Sequence, residues 1–357
     1  MKQKLIFTNL VGEAVDTLIT ELGNPQVAVV ADTNTAQFVL PIMQKSSKAV
    51  ADATVITIKA GDANKNLDEL TALWRHLSEM EATRKTVVVN LGGGVVSDLA
   101  GFAAATYKRG MRCINVPTTL LAAVDAAVGG KTGINFNGLK NQIGAFSEPE
   151  AAIISTIFFN TLPEQELLSG YAEMLKHGLL ESPQMLAKLL AYSPVYPVFN
   201  SEALLPLLKD SVMVKANIVD KDLKESSLRK ALNLGHTVGH AIEAFAIKHQ
   251  SPVAHGYAVA WGLVAELILS HMVLNFPVET LRSFAEYVHT NYGAFPLTCK
   301  DYPELIASMR QDKKNATPDA INFTLLSAVG EPKIDCTATT EQIEAALDIY
   351  RDLMGLA

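Results

Sequence analysis

Short β-branched runs alternating with helical stretches constrain the first part of this chain more than any other feature. Residues 26–31, 53–58, 86–91 and 112–116 are short stretches built around Val, Ile and other apolar residues, and residues 67–81 and 96–106 between them carry helical periodicity. Strands separated by crossover helices pair in parallel. Strands apolar along their whole length are covered by helices on both faces. A further apolar run at 151–154 closes this half, so the chain begins as an α/β domain.

After about residue 160 the pattern changes. Pro163 sits where a helix starts, which suits its fixed φ and missing N–H. From there to residue 274 the period is helical. Residues 321–329 read as a hairpin strand, and 341–353 as a closing amphipathic helix. The expected organisation is an α/β domain over 1–155 followed by a mostly α-helical domain over 156–357. The most apolar stretch, 257–269, is interrupted by Glu266 and is shorter than the roughly 18 residues needed to span a bilayer. Residues 1–10 lack the apolar core of a secretory signal. No membrane role is therefore expected. Lys plus Arg is 30 against 37 Asp plus Glu, a net charge of -7 that disfavours general nucleic-acid binding. Cys113, Cys299 and Cys336 are dispersed and odd in number, which suits a reducing cytosol rather than a disulfide framework.

The run at 86–91 ends in Gly92, Gly93 and Gly94, followed by Ser97 and Asp98. A strand passing through glycines into a helix lets backbone N–H groups approach a pyrophosphate, with the helix N-terminus adding partial positive charge. The spacing is not G-x-G-x-x-G, and a tight turn requiring positive φ explains the glycines equally well. Asp32 lies just past an earlier strand, with Asn34 after it, and reads as a ribose-binding carboxylate or as a helix cap. Pro117-Thr118-Thr119, Asp125, Lys131 in a glycine-flanked loop, and Lys140-Asn141 follow. Lysines among Gly, Thr and Asn offer compact cations for phosphate or carboxylate, without Walker A spacing.

Farther on, His236 and His240 lie four apart, with Asn233 before and Glu243 after them. They share a helix face, and the spacing leaves open whether both bind a metal or one moves protons. The glutamate of H-E-x-x-H is missing. His255 beside Gly256, and Glu173 three residues before Lys176, are further candidates. One carboxylate and two imidazoles would make a catalytic zinc-type donor set.

Taken together and in this order, these motifs resemble the 3-dehydroquinate synthase family of the sugar phosphate cyclases. The resemblance implies a Rossmann-like NAD domain followed by a helical metal domain, in a homodimer. It implies that Glu173, His236 and His255 hold a divalent metal, most often zinc, with cobalt as an alternative. Gly93, Gly94, Asp98, Thr118, Thr119, Asp125, Lys140 and Thr161 match positions that hold NAD, and Asp32, Asn34, Asp62 and Lys65 match ribose contacts. Arg109, Lys131, Asn141, Lys176, Lys215, Arg229, Asn233 and His240 match positions that hold the substrate, joined by one of Lys313 and Lys314. His240 is thereby given to substrate rather than metal. The implied activity is the lyase reaction converting 3-deoxy-D-arabino-heptulosonate 7-phosphate to 3-dehydroquinate and phosphate, in the shikimate route to chorismate and the aromatic amino acids. It runs through transient NAD-dependent oxidation, phosphate elimination, re-reduction and intramolecular aldol closure, and uses NAD catalytically. The partner is thus a small anionic sugar phosphate. Asn137-Gly138-Leu139 stands where the family more usually has Pro-x-Gly, and Tyr257 where many members have Glu. The alternatives are another sugar phosphate cyclase, a metal-dependent polyol dehydrogenase, or a non-catalytic metal-stabilised scaffold.

Overall fold

The structure is a computed structural model describing residues 3–137, 139–223, 225, 227–311 and 321–356. Lys313, Lys314 and Gly138 lie outside the described residues. The chain forms two compact units, Met1–Pro163 with Asn200–Val212, and Glu164–Phe199 with Met213–Ala357.

The first unit is built on a six-stranded parallel sheet of β1 (Lys4–Phe7), β2 (Val27–Asp32), β3 (Thr54–Ile58), β4 (Val87–Gly92), β5 (Arg112–Pro117) and β8 (Ala151–Ile154), in the order β1-β8-β5-β4-β2-β3. β2, β4 and β8 are buried at every position, which accounts for their mostly apolar composition; the buried Asn90 of β4 donates to Asn115 Oδ1 of β5 at 2.8 Å. One face is covered by Leu70, Leu73 and Leu77 of the Leu67–Glu79 helix and by Leu99, Ala100 and Ala103 of the Gly94–Thr106 helix, packed on Ala28, Val30 and Val88. That i, i+3, i+7 spacing is a helix stripe facing a core. β2 is flanked by β3 on one side and β4 on the other, so the sheet reverses its winding there. In open α/β sheets the crevice outside the strand ends at such a reversal is where ligands bind. Asp32 and Gly92 are the last residues of β2 and β4.

Two local expectations change. Lys131 starts a strand rather than lying in a loop: β6 (Lys131–Phe136) pairs antiparallel with β7 (Leu139–Phe146). The turn is made just before it, at Gly129 and Gly130, with φ of 100° and 65°. β6 packs on the Gly94–Thr106 helix, where a Cβ on Gly101 would stand 2.7 Å from Thr132 Cγ2. Nor do Gly92, Gly93 and Gly94 serve a positive-φ turn, because none has positive φ. Gly92 answers to close packing instead, since a Cβ there would lie 2.3 Å from Val96 Cγ2.

The second unit is helical, with a hairpin of β9 (Ile321–Ala328) and β10 (Glu331–Ala338). Its core helix is His255–Leu274, with positions 258–270 all buried. Twenty residues long, with a mean hydropathy of 1.6 in its most apolar window, it is long and apolar enough to cross a membrane, yet 72% of that window is buried inside the protein. Asn275 closes it in the left-handed region at φ 59°. The Thr340–Leu353 helix starts from a capping box between Thr339 and Gln342.

Candidate metal centre and nucleotide loop

Three helices bring the second unit's chemistry together. The Glu164–Glu181 helix carries Glu173 and Lys176 on one face, both almost wholly buried. The His236–Lys248 helix begins with His236, after Gly235 at φ 79°. Gly235 offers no capping side chain, and the cap comes from elsewhere. Glu266, fully buried in the core helix, accepts from the backbone N–H of Gly235 at 2.6 Å and of Val238 at 3.0 Å. The charge that interrupts the apolar run is thus a carboxylate at a helix N-terminus, where it satisfies orphan donors and meets the dipole.

His255 opens the core helix, and Gly256 lets that helix cross the Glu164–Glu181 helix closely. A Cβ at Gly256 would lie 1.9 Å from the carbonyl oxygen of Ser169, and its N–H donates to Ser169 Oγ at 3.1 Å. A Cβ at Gly262 would lie 2.1 Å from the carbonyl of Gly235. Backbone cannot step aside as a side chain can. Gly256→Ala is therefore expected to cost about 1–3 kcal/mol by overpacking and to weaken metal uptake by moving His255 from Glu173. Thermal unfolding and a metal titration check this; unchanged stability would contradict the close crossing.

The donor atoms of Glu173, His236 and His255 lie within 4.8 Å of one another. Glu173 Oε1 faces His236 Nε2 at 3.4 Å and His255 Nε2 at 3.7 Å. It is buried and has no hydrogen-bond partner among the described residues, whereas Oε2 accepts from Lys176 Nζ. A buried carboxylate oxygen without a donor, facing two imidazole nitrogens, is what a divalent cation would satisfy. The far ring nitrogens are held as well: His236 Nδ1 by the carbonyl of Leu234 at 3.0 Å, and His255 Nδ1 by Glu243 Oε2 at 3.1 Å. Both Nε2 atoms are thereby turned toward Glu173.

Burial opposes ionisation of Glu173, but the Lys176 charge and His236 outweigh it and hold the carboxyl well below the usual range. Burial and the Lys176 charge push His236 down to about 4. For His255 burial pulls the same way, yet the carboxylates of Glu173 and Glu243 raise it to about 9. At pH 7 the metal-free site thus carries a proton on His255 and none on His236. Metal binding at pH 7 is expected to release about one proton, and apparent affinity to rise with pH until about 9. Calorimetry in buffers of different ionisation enthalpy measures this; release of no proton would contradict it.

Other candidates surround this centre or lie apart from it. The His240 ring is exposed, 5.2 Å from His236 and 5.9 Å from His255 between centroids. Lys215 and Arg229 are buried. Arg229 Nη1 donates to the Leu223 carbonyl at 2.7 Å, and Asn233 Nδ2 to Glu225 Oε1 at 3.1 Å.

In the first unit, Gly93 caps the Gly94–Thr106 helix with no side chain contributing. A helix N-terminus without a capping side chain is a favourable place for an anion. A Cβ on Gly93 would fall 3.2 Å from Thr119 Cγ2, so the glycine opens the space beside that residue. Thr118 N donates to the Gly92 carbonyl at 3.0 Å, and the buried Thr118 hydroxyl lacks a partner among the described residues. These features fit a dinucleotide's pyrophosphate. Asp32 Oδ1 caps the Thr33–Phe38 helix, which carries Asn34, by accepting from Asn34 N and Thr35 N. Lys65 is buried and joins Asp98 at 3.0 Å, Asn141 at 2.8 Å and Asp62 at 3.5 Å; Lys140 approaches Asp62 at 3.8 Å. Asn135, which no motif singled out, ties this cluster together by donating to Asp62 Oδ2 at 3.1 Å and accepting from Asn141 N at 3.0 Å. Asp125 lies on the Ala122–Ala126 π-helical turn, exposed Arg109 has φ 63°, and exposed Thr161 donates to the Phe158 carbonyl.

Known proteins share this arrangement of sequence and fold. The 3-dehydroquinate synthase N-terminal family matches residues 55–169, and its C-terminal family residues 170–315. A 3-dehydroquinate synthase from Parabacteroides distasonis is 43% identical over 99% of both chains. Among solved structures, a 2-deoxy-scyllo-inosose synthase complexed with carbaglucose-6-phosphate, NAD+ and Co2+ superposes with a TM-score of 0.82 at 22% identity, covering 96% of this chain and 95% of that one. The 2-epi-5-epi-valiolone synthase from Streptomyces hygroscopicus subsp. jinggangensis 5008, with NAD+ and Zn2+ bound, gives 0.80 at 21%, covering 99% and 97%. By its match along nearly the whole length, this chain belongs to the 3-dehydroquinate synthase family.

Proposed function

We propose that the chain converts 3-deoxy-D-arabino-heptulosonate 7-phosphate to 3-dehydroquinate and phosphate, using NAD catalytically and a divalent metal, zinc or cobalt. The observation that carries this is the Glu173–His236–His255 cluster, built on a buried carboxylate beside Lys176, in a chain of this family. When bound, NAD takes up and returns a hydride, and the metal lowers the pKa of a substrate hydroxyl.

The remaining work belongs to the chain's own residues. In the second unit Glu173, His236 and His255 would hold the metal. Lys176, Lys215 and Arg229 supply positive charge for an anionic sugar phosphate. A compact bound pose is worth several kcal/mol by proximity, roughly 7–11 in favourable cases. His240, exposed beside the two ligand histidines, is placed to contact the substrate. In the first unit the helix N-terminus at Gly93 and Gly94, with Thr118 and Thr119, would cradle the pyrophosphate, and Asp32 would reach the ribose. Lys65 would fix Asp98 and Asn141. The three free thiols accord with a cytosolic location, and the family with a homodimer.

The experiment is to follow NADH absorbance with holoprotein, the heptulosonate phosphate and excess NAD. A cyclase that returns its hydride accumulates none over many turnovers. Stoichiometric NADH would instead identify a polyol dehydrogenase.

A further inference from the structure

We propose that Glu243 is the positioning residue of the metal centre: its carboxylate holds His255 by Nδ1 and so aims Nε2 at the site shared with Glu173 and His236. This rests on the metal reading of that cluster.

The two histidines are constrained differently. His236 lies one residue beyond Gly235, whose N–H is anchored by Glu266, and its Nδ1 is held by the nearby carbonyl of Leu234. The backbone beside His255 is anchored too, by Gly256 N–H on Ser169 Oγ at 3.1 Å, but its ring has no backbone carbonyl on Nδ1 among the described residues. His255 is the first residue of its helix, its cap residue Ala254 offers no side-chain bond, and residues 251–254 before it have no regular structure. Its side chain is 30% exposed, against 12% for His236. Of the three donors it has the most freedom to turn away.

Glu243 removes that freedom. It lies two helical turns after His236, so one helix presents a metal donor and the carboxylate that orients another donor. Its side chain is 11% exposed, and the 3.1 Å contact to His255 Nδ1 is a hydrogen bond from N–H to carboxylate. A carboxylate on the far nitrogen of a ligating imidazole sets the tautomer, fixes the ring and raises ligand basicity. Loss of such a partner typically costs about 10–100-fold in metal affinity.

The test uses the full chain, stripped with chelator and titrated with Zn2+ against a chromogenic chelator, and with Co2+ by visible absorption. Glu243→Ala is expected to weaken Zn2+ binding about 10–100-fold and to shift the Co2+ spectrum. Glu243→Gln, whose amide oxygen still accepts from Nδ1–H, is expected to retain more affinity, and it also serves as the folded variant if the alanine protein does not fold. In a His255→Ala background the Glu243 substitution should have no further effect, because its action runs through that ring. Wild-type affinity and an unchanged Co2+ spectrum in both Glu243 variants, or an equal loss without His255, would overturn the proposal. Failure of the wild-type chain to bind either metal would instead overturn the metal reading beneath it.

Discussion

Glu173→Gln is expected to lose bound metal and at least about 10²–10³-fold in turnover. The substitution keeps the shape of the side chain and removes its charge. Oε1 is the buried oxygen that faces both imidazoles, and an amide oxygen is a much weaker partner for a dication. A Lewis acid contributes several kcal/mol to a reaction that develops charge on oxygen, and each 1.4 kcal/mol or so is a factor of ten. The same change strands Lys176, whose ammonium is buried against Oε2. Breaking a buried pair on one side costs about 3–5 kcal/mol, so the variant should also be less stable. Metal content by atomic absorption, kcat and thermal unfolding together check this. Full metal occupancy with normal turnover would remove Glu173 from the centre.

Lys176→Ala is expected to separate stability with metal from stability without it. In the metal-free protein the substitution leaves the Glu173 carboxylate buried with no cation at Oε2. The cost, again about 3–5 kcal/mol, corresponds to a fall in Tm on the order of 10 °C. A divalent metal compensates the same charge, so the loaded variant should recover most of this loss. Turnover or substrate binding of the metal-loaded protein should fall, while NAD affinity stays near wild type because the glycine loop belongs to the other unit. Equal Tm losses with and without metal would show that Lys176 acts by packing alone. Loss of NAD binding would break the division of roles between the units.

Much of this architecture is legible in the residues, for identifiable reasons. β2, β4 and β5 announce themselves because strands covered on both faces are largely apolar. β1 gives no such signal: it has four residues and a partly exposed face, and becomes a strand by pairing with β8. The hairpin of β6 and β7 hides for a related reason, since nearly all of β7 is exposed, and Gly133 and Gly144 read as loop. β10 alternates exposed and half-buried positions around polar residues and needs β9 to hold it. The i, i+4 spacing of His236 and His240 could not say which histidine stands beside Glu173, because that depends on a helix crossing twenty residues farther on. Gly256 sets that crossing by letting its backbone touch Ser169. Glu266 and Glu243 were invisible as functional groups for the same reason. One looks like an interruption in an apolar run and the other like a polar residue on a helix, until the helices they act on are packed against them.

On this reading the chain eliminates phosphate from a heptulosonate phosphate while its NAD cycles without net change. The most direct measurement is inorganic phosphate released from 3-deoxy-D-arabino-heptulosonate 7-phosphate with NAD present below the substrate concentration. Many phosphates per NAD are expected, abolished by chelator and restored by Zn2+ or Co2+. No phosphate from the metal- and NAD-loaded protein, or one phosphate per NAD and then arrest, would contradict it.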